Sequence, residues 1–298
     1  MKQLVPKSVL PEDEEPSVWW FEPFGIEHDL LNKIVIGCLP KAIPVSGVAL
    51  VKRNVPLPPE SGDSEGRLMC WPSTGNGIAM AIRKVDEITE VVGVWPDFAR
   101  GVEHEVVMDR LWVTKDGLQA IVEGTIGDGF PICWFDPHYL ADRGFHTAGY
   151  IHSVLLLGIA HRFAVSEPEV FWISLGDTAY KVMSEMQPSC VGADGRIEVS
   201  TKGMASFLPI SDQARNVYHV GGTVTQVSEF PGGVMGHAVW LVRVVVARTG
   251  TEDDPQAIDI LLTDHTLAGR FLPNVGEDIN ASIVLNGSIW MPNVRAVD

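Results

Sequence analysis

The sequence predicts a mostly β protein in which a similar run of strands occurs twice, behind a proline-rich N-terminal arm. Three observations predict this fold class. Apolar residues alternate with a period of two, not 3.6, over most of residues 85–165 and 216–298. The same order of strands, aspartate, turn and glycine recurs in these two regions. Finally, 46% of the 298 residues are apolar and only 20% are charged, which excludes a disordered chain and leaves ample core for two domains.

Residues 1–66 form the predicted arm. They hold nine of the 20 prolines, a density that prevents long helices and central strands. An acidic run over residues 12–15 precedes the aromatic residues Trp19, Trp20, Phe21 and Phe24. Because four aromatics in water would form a large apolar patch, we expect an extended arm whose aromatics pack on the body of the protein. The alternative is a docking peptide whose aromatics bind a partner.

The first β region is assigned to residues 67–165. A short helix is predicted near residues 76–85, and Asp116-Gly117 is a hairpin signal. Strands are predicted over residues 87–94, 105–114, 118–124, 130–135 and 150–163. In the second of these strands Val107, Leu111 and Val113 share the more apolar face, which leaves Met108, Arg110 and Trp112 on the other face.

A connector over residues 166–215, with a helix expected at residues 178–186, leads to the second β region, residues 216–298. Strands are predicted there over residues 220–227, 238–247, 258–263 and 279–290. Trp240 shares its face with three valines and is therefore expected in the core. In the last strand the residues between the apolar positions include Asn280, Ser282 and Asn286, which predicts one solvent-facing side.

The two β regions follow one plan. Asp136 ends a strand and Gly149 opens a long one, and Asp264 and Gly276 do the same in the second region. Five strands with an irregular piece before the last one resemble the OB-fold, and Val275-Gly-Glu-Asp-Ile-Asn-Ala-Ser-Ile283 resembles the closing strands of OB domains. The resemblance implies two OB-like five-stranded barrels with a binding role, although a fold does not by itself define a function.

A second resemblance lies in the segment Ile132-Cys-Trp-Phe-Asp-Pro-His-Tyr139. It is similar to an uncharacterised group of bacterial proteins with a Phe-Phe-Asp-x-x-Tyr signature, a likeness that implies no activity. Asp136 and Tyr139 of this segment are included among the candidate binding residues.

Charge and cysteine usage narrow the choice of partner and compartment. Lys and Arg number 22 and Asp and Glu 38, so the formal net charge is −16. This charge disfavours a broad phosphate-binding or membrane surface and suits a basic protein partner. The four cysteines form no C-x-x-C motif, and no apolar run follows the N-terminal residues, so we expect a soluble cytoplasmic protein with reduced thiols.

Catalytic and metal motifs are scarce. Gly62-Asp-Ser-Glu-Gly66 matches G-x-S-x-G without the strand and helix that a nucleophile elbow needs. The histidines His138, His146, His152 and His161 lie near Asp136, but no pair has a metal-ligand spacing. We therefore assign no catalytic residue, metal or cofactor.

Three functional hypotheses remain open. The leading one is a non-enzymatic binding or adaptor protein that recognises a protein partner through the OB-like units and the aromatic arm. The second is a single-stranded nucleic-acid-binding protein, for which Trp112 beside Arg110 is the best stacking candidate. The third is a metal-dependent hydrolase that uses the region of Asp136, His138 and His146.

Overall fold

The computed structural model confirms that the protein is mostly β. It describes residues 7–10, 20–45, 66–85, 88–115, 117–127, 129–167, 169–174, 191–192, 195–210, 214–231, 233–248 and 255–296. Sixteen strands and three short α-helices lie in these ranges. None of the helices there is long and apolar enough to cross a lipid bilayer.

The strands alternate with short turns along most of the described chain. They are β1 Lys7–Val9, β2 Ile43–Pro44, β3 Gly66–Ser73, β4 Asn76–Val85, β5 Ile88–Phe98, β6 Val102–Val113, β7 Ala120–Ile126, β8 Phe130–Phe135, β9 Tyr150–Val165, β10 Val170–Ile173, β11 Ile197–Ser200, β12 Ser206–Pro209, β13 Val217–Glu229, β14 Val239–Arg248, β15 Pro255–Thr263 and β16 Asp278–Ala296. The helices are α1 His28–Cys38, α2 Tyr139–Asp142 and α3 Asp264–Leu267, and 3-10 turns span Glu22–Phe24 and Leu39–Lys41.

Ten strands form one large sheet that joins both predicted β regions. Their order is β1-β6-β7-β8-β16-β9-β15-β14-β13-β12, with further pairings between β6 and β9 and between β13 and β16. The long strands β9 and β16 pair antiparallel along almost their whole length. The two halves therefore share a continuous hydrogen-bonded framework, and the division into two five-stranded OB barrels stays a prediction.

The central strands are buried on both faces, which divides the interior into two apolar cores. In β9, Leu156 faces the first core, most of whose residues lie in the large sheet, whereas Leu157 faces a second core. In β16, Leu285 likewise faces the first core and Val284 faces the second. Asn286 is also buried, so the prediction that the solvent-facing side of the last strand extends to this residue is wrong. The reason is that the second core covers this part of β16.

The second core lies between the large sheet and a four-stranded sheet with the order β2-β3-β4-β5. The helix predicted over residues 76–85 is wrong, because this segment is β4 and pairs with β3 on one side and β5 on the other. Its apolar run from Ile78 to Ala81 is almost fully buried on both faces. Such a run lacks the period-two alternation that identifies a half-exposed strand.

The arm is not wholly extended. Helix α1 occupies the proline-free stretch between Pro23 and Pro40, so proline density limits where this helix begins and ends without preventing it. Trp20, Phe21 and Phe24 are buried in the second core. The Thr263 hydroxyl of β15 donates a hydrogen bond to the backbone carbonyl of Pro23, which ties the arm to the large sheet.

Trp240 of the second β region is less buried than its strand pattern predicts. Trp240 packs against the first core but is only half-buried, because it lies at the start of β14, where its partner strand β13 ends.

In the connector, β10 pairs with β11, and β12 joins the large sheet beside β13. The helix predicted over residues 178–186 lies outside the described residues.

The packing of β8 against β16 can be tested at Gly287. A Cβ at this position would lie 2.2 Å from Cδ1 of Trp134, whose side chain is fully buried. We expect Gly287→Ala to lower the free energy of unfolding by about 1–3 kcal/mol, because the indole has no room to move aside. Urea denaturation followed by tryptophan fluorescence measures this change.

The matched control is Gly37→Ala in helix α1. A Cβ at Gly37 has no heavy atom within 4 Å, and alanine is the better helix former, so this variant should be as stable as the wild type or slightly more stable. Equal urea midpoints for Gly287→Ala and Gly37→Ala would contradict the packing described for Trp134.

Candidate functional site

The predicted stacking pair Arg110 and Trp112 lies at the surface of β6. A bulge between Met108 and Arg110 shifts the register of this strand. As a result Met108 and Leu111 are both buried, although they are three positions apart, and Arg110 is exposed. The Arg110 guanidinium carbon lies 5.3 Å from the centre of the Trp112 ring. The sequence thus indicated this pair, whereas the expectation that Met108 shares its face is wrong, because the bulge places Met108 in the core.

A second arginine, which the sequence analysis missed, packs more closely on Trp112. The guanidinium carbon of Arg215 lies 3.9 Å from the ring centre, within cation–π range. The indole Nε1 of Trp112 donates to Glu123 at 2.9 Å. Trp112 is therefore held by a carboxylate of β7 and by an arginine from the end of the connector, and no local motif indicates this contact.

Arg215 and Glu123 also line an open groove of about 470 Å³ beside Trp112. Its remaining walls are Phe130, Pro131, Ile132, Cys133, Phe207, Pro209, Ile210 and Tyr218. We call this region, together with Arg110 and Trp112, the aromatic–arginine groove. It lies where β7 and β8 of the first half meet β12 and β13 of the second.

The groove walls are ordered by ring stacking and by one phenol. The rings of Phe207 and Tyr218 stack with centres 4.2 Å apart, and Phe130 lies 5.7 Å from Phe207. The backbone N–H of Cys133 donates to the Tyr218 hydroxyl at 2.7 Å. Burial raises the pKa of Tyr218, so the phenol stays neutral and the groove takes its positive charge from arginine.

Among the described residues, the predicted binding residues of the arm and Tyr139 lie in the interior. Trp20, Phe21 and Phe24 of the arm are buried against the body of the protein, and Trp19 lies outside the described residues. Tyr139 is buried as well, with its ring edge-on to His146 and its centre 5.7 Å from Nζ of Lys7. These side chains therefore stabilise the fold in this structure and do not line the groove.

Asp136 and Asp264 each accept hydrogen bonds from the backbone and from a histidine just after or near their strand, but Asp136 is buried and Asp264 is exposed. Asp136 accepts from the backbone N–H of His138 at 2.8 Å and from the imidazole of His146 at 2.9 Å. Asp264 accepts from the backbone N–H of His265 at 2.9 Å and contacts Nδ1 of His237 at 2.7 Å. Each aspartate thus fixes the turn that follows its strand.

The predicted histidine cluster does not form one site. Nε2 of His146 contacts Asp136, Nε2 of His152 lies 2.8 Å from the carbonyl oxygen of Thr147, and Nδ1 of His161 lies 3.3 Å from Glu22. His138 points elsewhere, with its Nε2 2.9 Å from Oδ1 of Asp97.

His138 belongs to a buried group that the sequence analysis did not find. Sγ of Cys70 in β3 lies 3.2 Å from Oδ2 of Asp97 in β5, and one ligand atom from each of Cys70, Asp97 and His138 lies within 4.8 Å of the others. We call these residues the Cys–Asp–His cluster. Among the described residues it is the only such group of three. Its members are 27 and 41 positions apart, and this spacing matches no short motif.

Burial and mutual charge determine the protonation of the cluster. Burial alone would lower the pKa of His138, because it disfavours the charged imidazolium. The attraction of the nearby Asp97 carboxylate is the main opposing effect, and the pKa of His138 is raised well above its ordinary value. Burial alone would raise the pKa of Asp97, but the attraction of the charged His138 is the main opposing effect, and the pKa of Asp97 is lowered. Burial is the main cause that raises the pKa of Cys70 to about 11. Without a bound ion, the cluster is an ion pair beside a neutral thiol.

This arrangement argues against a cysteine nucleophile. Nucleophilic cysteines are partly accessible and have a lowered pKa, because the thiolate is the reactive form. Cys70 is fully buried and its pKa is shifted in the opposite direction.

The two sites differ in the chemistry that they offer. The aromatic–arginine groove is open and combines ring faces with positive charge, whereas the Cys–Asp–His cluster is closed and combines three metal-ligand types. No family model, curated protein or solved structure matches this chain.

Proposed function

We propose that this chain is a non-enzymatic binding protein that recognises a protein partner at the aromatic–arginine groove. The observation that carries the proposal is an open groove of about 470 Å³ with three aromatic walls and two arginines beside it. Trp, Tyr and Arg dominate the binding energy of protein interfaces, because they bury a large area and still form polar contacts. An extended peptide segment with an acidic side chain near the exposed Arg110 fits this chemistry.

The proposed architecture is a pair of OB-like units, residues 67–165 and 216–298, behind an arm of residues 1–66. The pairings of β6 with β9 and of β13 with β16 support it, because each returns a run of consecutive strands to a long strand. The groove then lies between the two units, where neither half supplies the site alone.

A protein partner is favoured over nucleic acid by charge. Binding of a phosphate backbone depends on several Lys and Arg side chains, and its affinity falls steeply with salt. The groove offers only Arg110 and Arg215, together with the carboxylate of Glu123, on a chain of net charge −16. Single-stranded nucleic acid remains the second candidate, because Trp112 with two arginines also provides a stacking surface for a base.

A peptide selection tests the proposal. A random peptide library displayed on phage is selected on the full chain, and the affinity of enriched peptides is measured by fluorescence anisotropy. We expect Trp112→Ala and Phe207→Ala to weaken binding at least about tenfold, the usual effect of removing an interface anchor. Circular dichroism checks that both variants fold.

The matched control is Trp172→Ala, since Trp172 is an exposed tryptophan on β10 that does not line the groove. It should leave the affinity unchanged. If no peptide is enriched, or if enriched peptides bind Trp112→Ala and Trp172→Ala equally well, the proposal is wrong. Binding of an oligothymidylate with a steep negative salt slope, lost in Trp112→Ala, would establish the nucleic-acid alternative.

A further inference from the structure

We propose that Cys70, Asp97 and His138 bind one zinc ion where β3, β5 and the turn after β8 meet. This site is separate from the aromatic–arginine groove, and its test does not depend on the proposed binding function. Thiolate, carboxylate and imidazole are the three ligand types that zinc takes in proteins.

The distances suit one tetrahedral ion. Zinc lies about 2.3 Å from sulfur and about 2.0–2.2 Å from nitrogen or oxygen, so the ligand atoms of one ion lie roughly 3.3–3.6 Å apart. In the cluster the sulfur lies 3.2 Å from one oxygen of Asp97, and the imidazole nitrogen lies 2.9 Å from the other. All three ligand atoms are within 4.8 Å of one another. Small side-chain movements would therefore bring them to a common ion.

A second observation points to a ligand. Nε2 of His138 and Oδ1 of Asp97 are both buried, and neither atom has a hydrogen-bond partner beyond the ion pair that they form at 2.9 Å. A bound ion would give each of these atoms a further partner, and buried polar groups of native proteins rarely lack hydrogen-bond partners.

The charges balance when zinc binds. The Cys70 thiol and the His138 imidazolium each release one proton to solvent, which leaves a thiolate, a carboxylate and a neutral imidazole. The two negative charges then match the charge of Zn²⁺ in an interior that tolerates no unpaired charge. Three protein ligands leave one tetrahedral position for a small ligand such as water.

Surrounding contacts hold the ligands in place. The backbone N–H of Gly75 donates to Oδ2 of Asp97 at 2.6 Å, and Asp136 accepts from the backbone N–H of His138 at 2.8 Å. The indole Nε1 of Trp95 donates to the carbonyl oxygen of Pro137 at 3.1 Å, which anchors the turn that carries His138. Outer contacts of this kind orient metal ligands before the ion arrives.

Cobalt substitution tests the site on the full chain. The protein is unfolded in a chelator, refolded with Co²⁺ and examined by absorption spectroscopy and metal analysis. We expect one equivalent of Co²⁺ per chain, a thiolate-to-cobalt charge-transfer band in the near ultraviolet, and loss of that band when Zn²⁺ is added.

Cys70→Ser distinguishes metal binding from a purely hydrogen-bonded network. A serine hydroxyl still donates to Asp97, so a structural network would retain its stability, whereas a zinc site should lose the charge-transfer band and at least about tenfold in affinity. Cys38→Ser is the matched control, because Cys38 is also a buried free cysteine and lies outside the cluster. It should keep the band.

Two results would overturn the proposal. One is folded wild-type protein, verified by circular dichroism, that retains only substoichiometric Co²⁺ and Zn²⁺ after refolding with either metal. The other is a charge-transfer band that persists in Cys70→Ser. If Cys70→Ser does not fold, the wild-type stoichiometry decides, together with the thermal midpoint, which zinc should raise and a chelator should lower.

Discussion

Replacing Trp20 with alanine is expected to lower the free energy of unfolding by about 3–5 kcal/mol, the usual cost of removing a buried tryptophan. Trp20 is 2% exposed, and its ring centre lies 4.6 Å from that of Phe135 in β8. Truncation would leave a cavity between the arm and the large sheet, and the sheet is too rigid to collapse into it. Urea denaturation monitored by circular dichroism measures the loss.

Phe271→Ala is the control for this prediction. Phe271 is 93% exposed, so its removal should change the free energy of unfolding by less than about 0.5 kcal/mol. If Trp20→Ala and Phe271→Ala unfold at the same urea concentration, the arm contributes nothing to the core. Its aromatics would then be available to a partner, as the docking-peptide alternative holds.

The arm shows what composition can predict. The aromatic side chains of this acidic, proline-rich segment indicated that the arm packs against an apolar surface, either of this protein or of a partner. So large an apolar area is rarely left in water. The number of prolines in the whole segment does not indicate helix α1, because none of them lies between Pro23 and Pro40. The position of prolines, not their number, limits a helix.

Strands with one solvent-exposed face could be predicted from the sequence, whereas strands buried on both faces could not be distinguished from helices. Strand β14 alternates and was predicted close to its observed bounds, whereas the continuous apolar run in β4 was read as a helix. Burial on both faces removes the period-two pattern. Of the four-stranded sheet, which covers the second core, β5 was predicted over residues 87–94, but the sequence has no local sign of its pairing with β4.

The sites were predictable only as far as their residues are neighbours in sequence. Arg110 and Trp112 lie two positions apart, so their pairing on one face of a strand could be inferred. Arg215 meets Trp112 through tertiary structure alone, and Cys70 meets Asp97 and His138 in the same way. No spacing rule applies to ligands that come from two strands of one sheet and from a turn after a strand of the other.

Replacing Asp97 with alanine is expected to lower the free energy of unfolding by about 3–5 kcal/mol, measured in a chelator so that no metal contributes. Asp97 is fully buried, accepts from the Cys70 thiol and the backbone N–H of Gly75, and forms an ion pair with His138. Its removal leaves the imidazole and the Gly75 N–H without a partner in the interior, where water does not replace the lost carboxylate.

Glu90→Ala is the matched control, because Glu90 lies on the same strand, β5, and forms an ion pair with Arg83 at 2.7 Å. That pair is exposed to solvent, so its loss should cost only about 0–1 kcal/mol. The contrast depends on burial and not on distance, since the two ion pairs are similarly short. If Asp97→Ala costs no more than Glu90→Ala, water reaches the cluster, and neither a closed ion pair nor a buried metal site exists at this position.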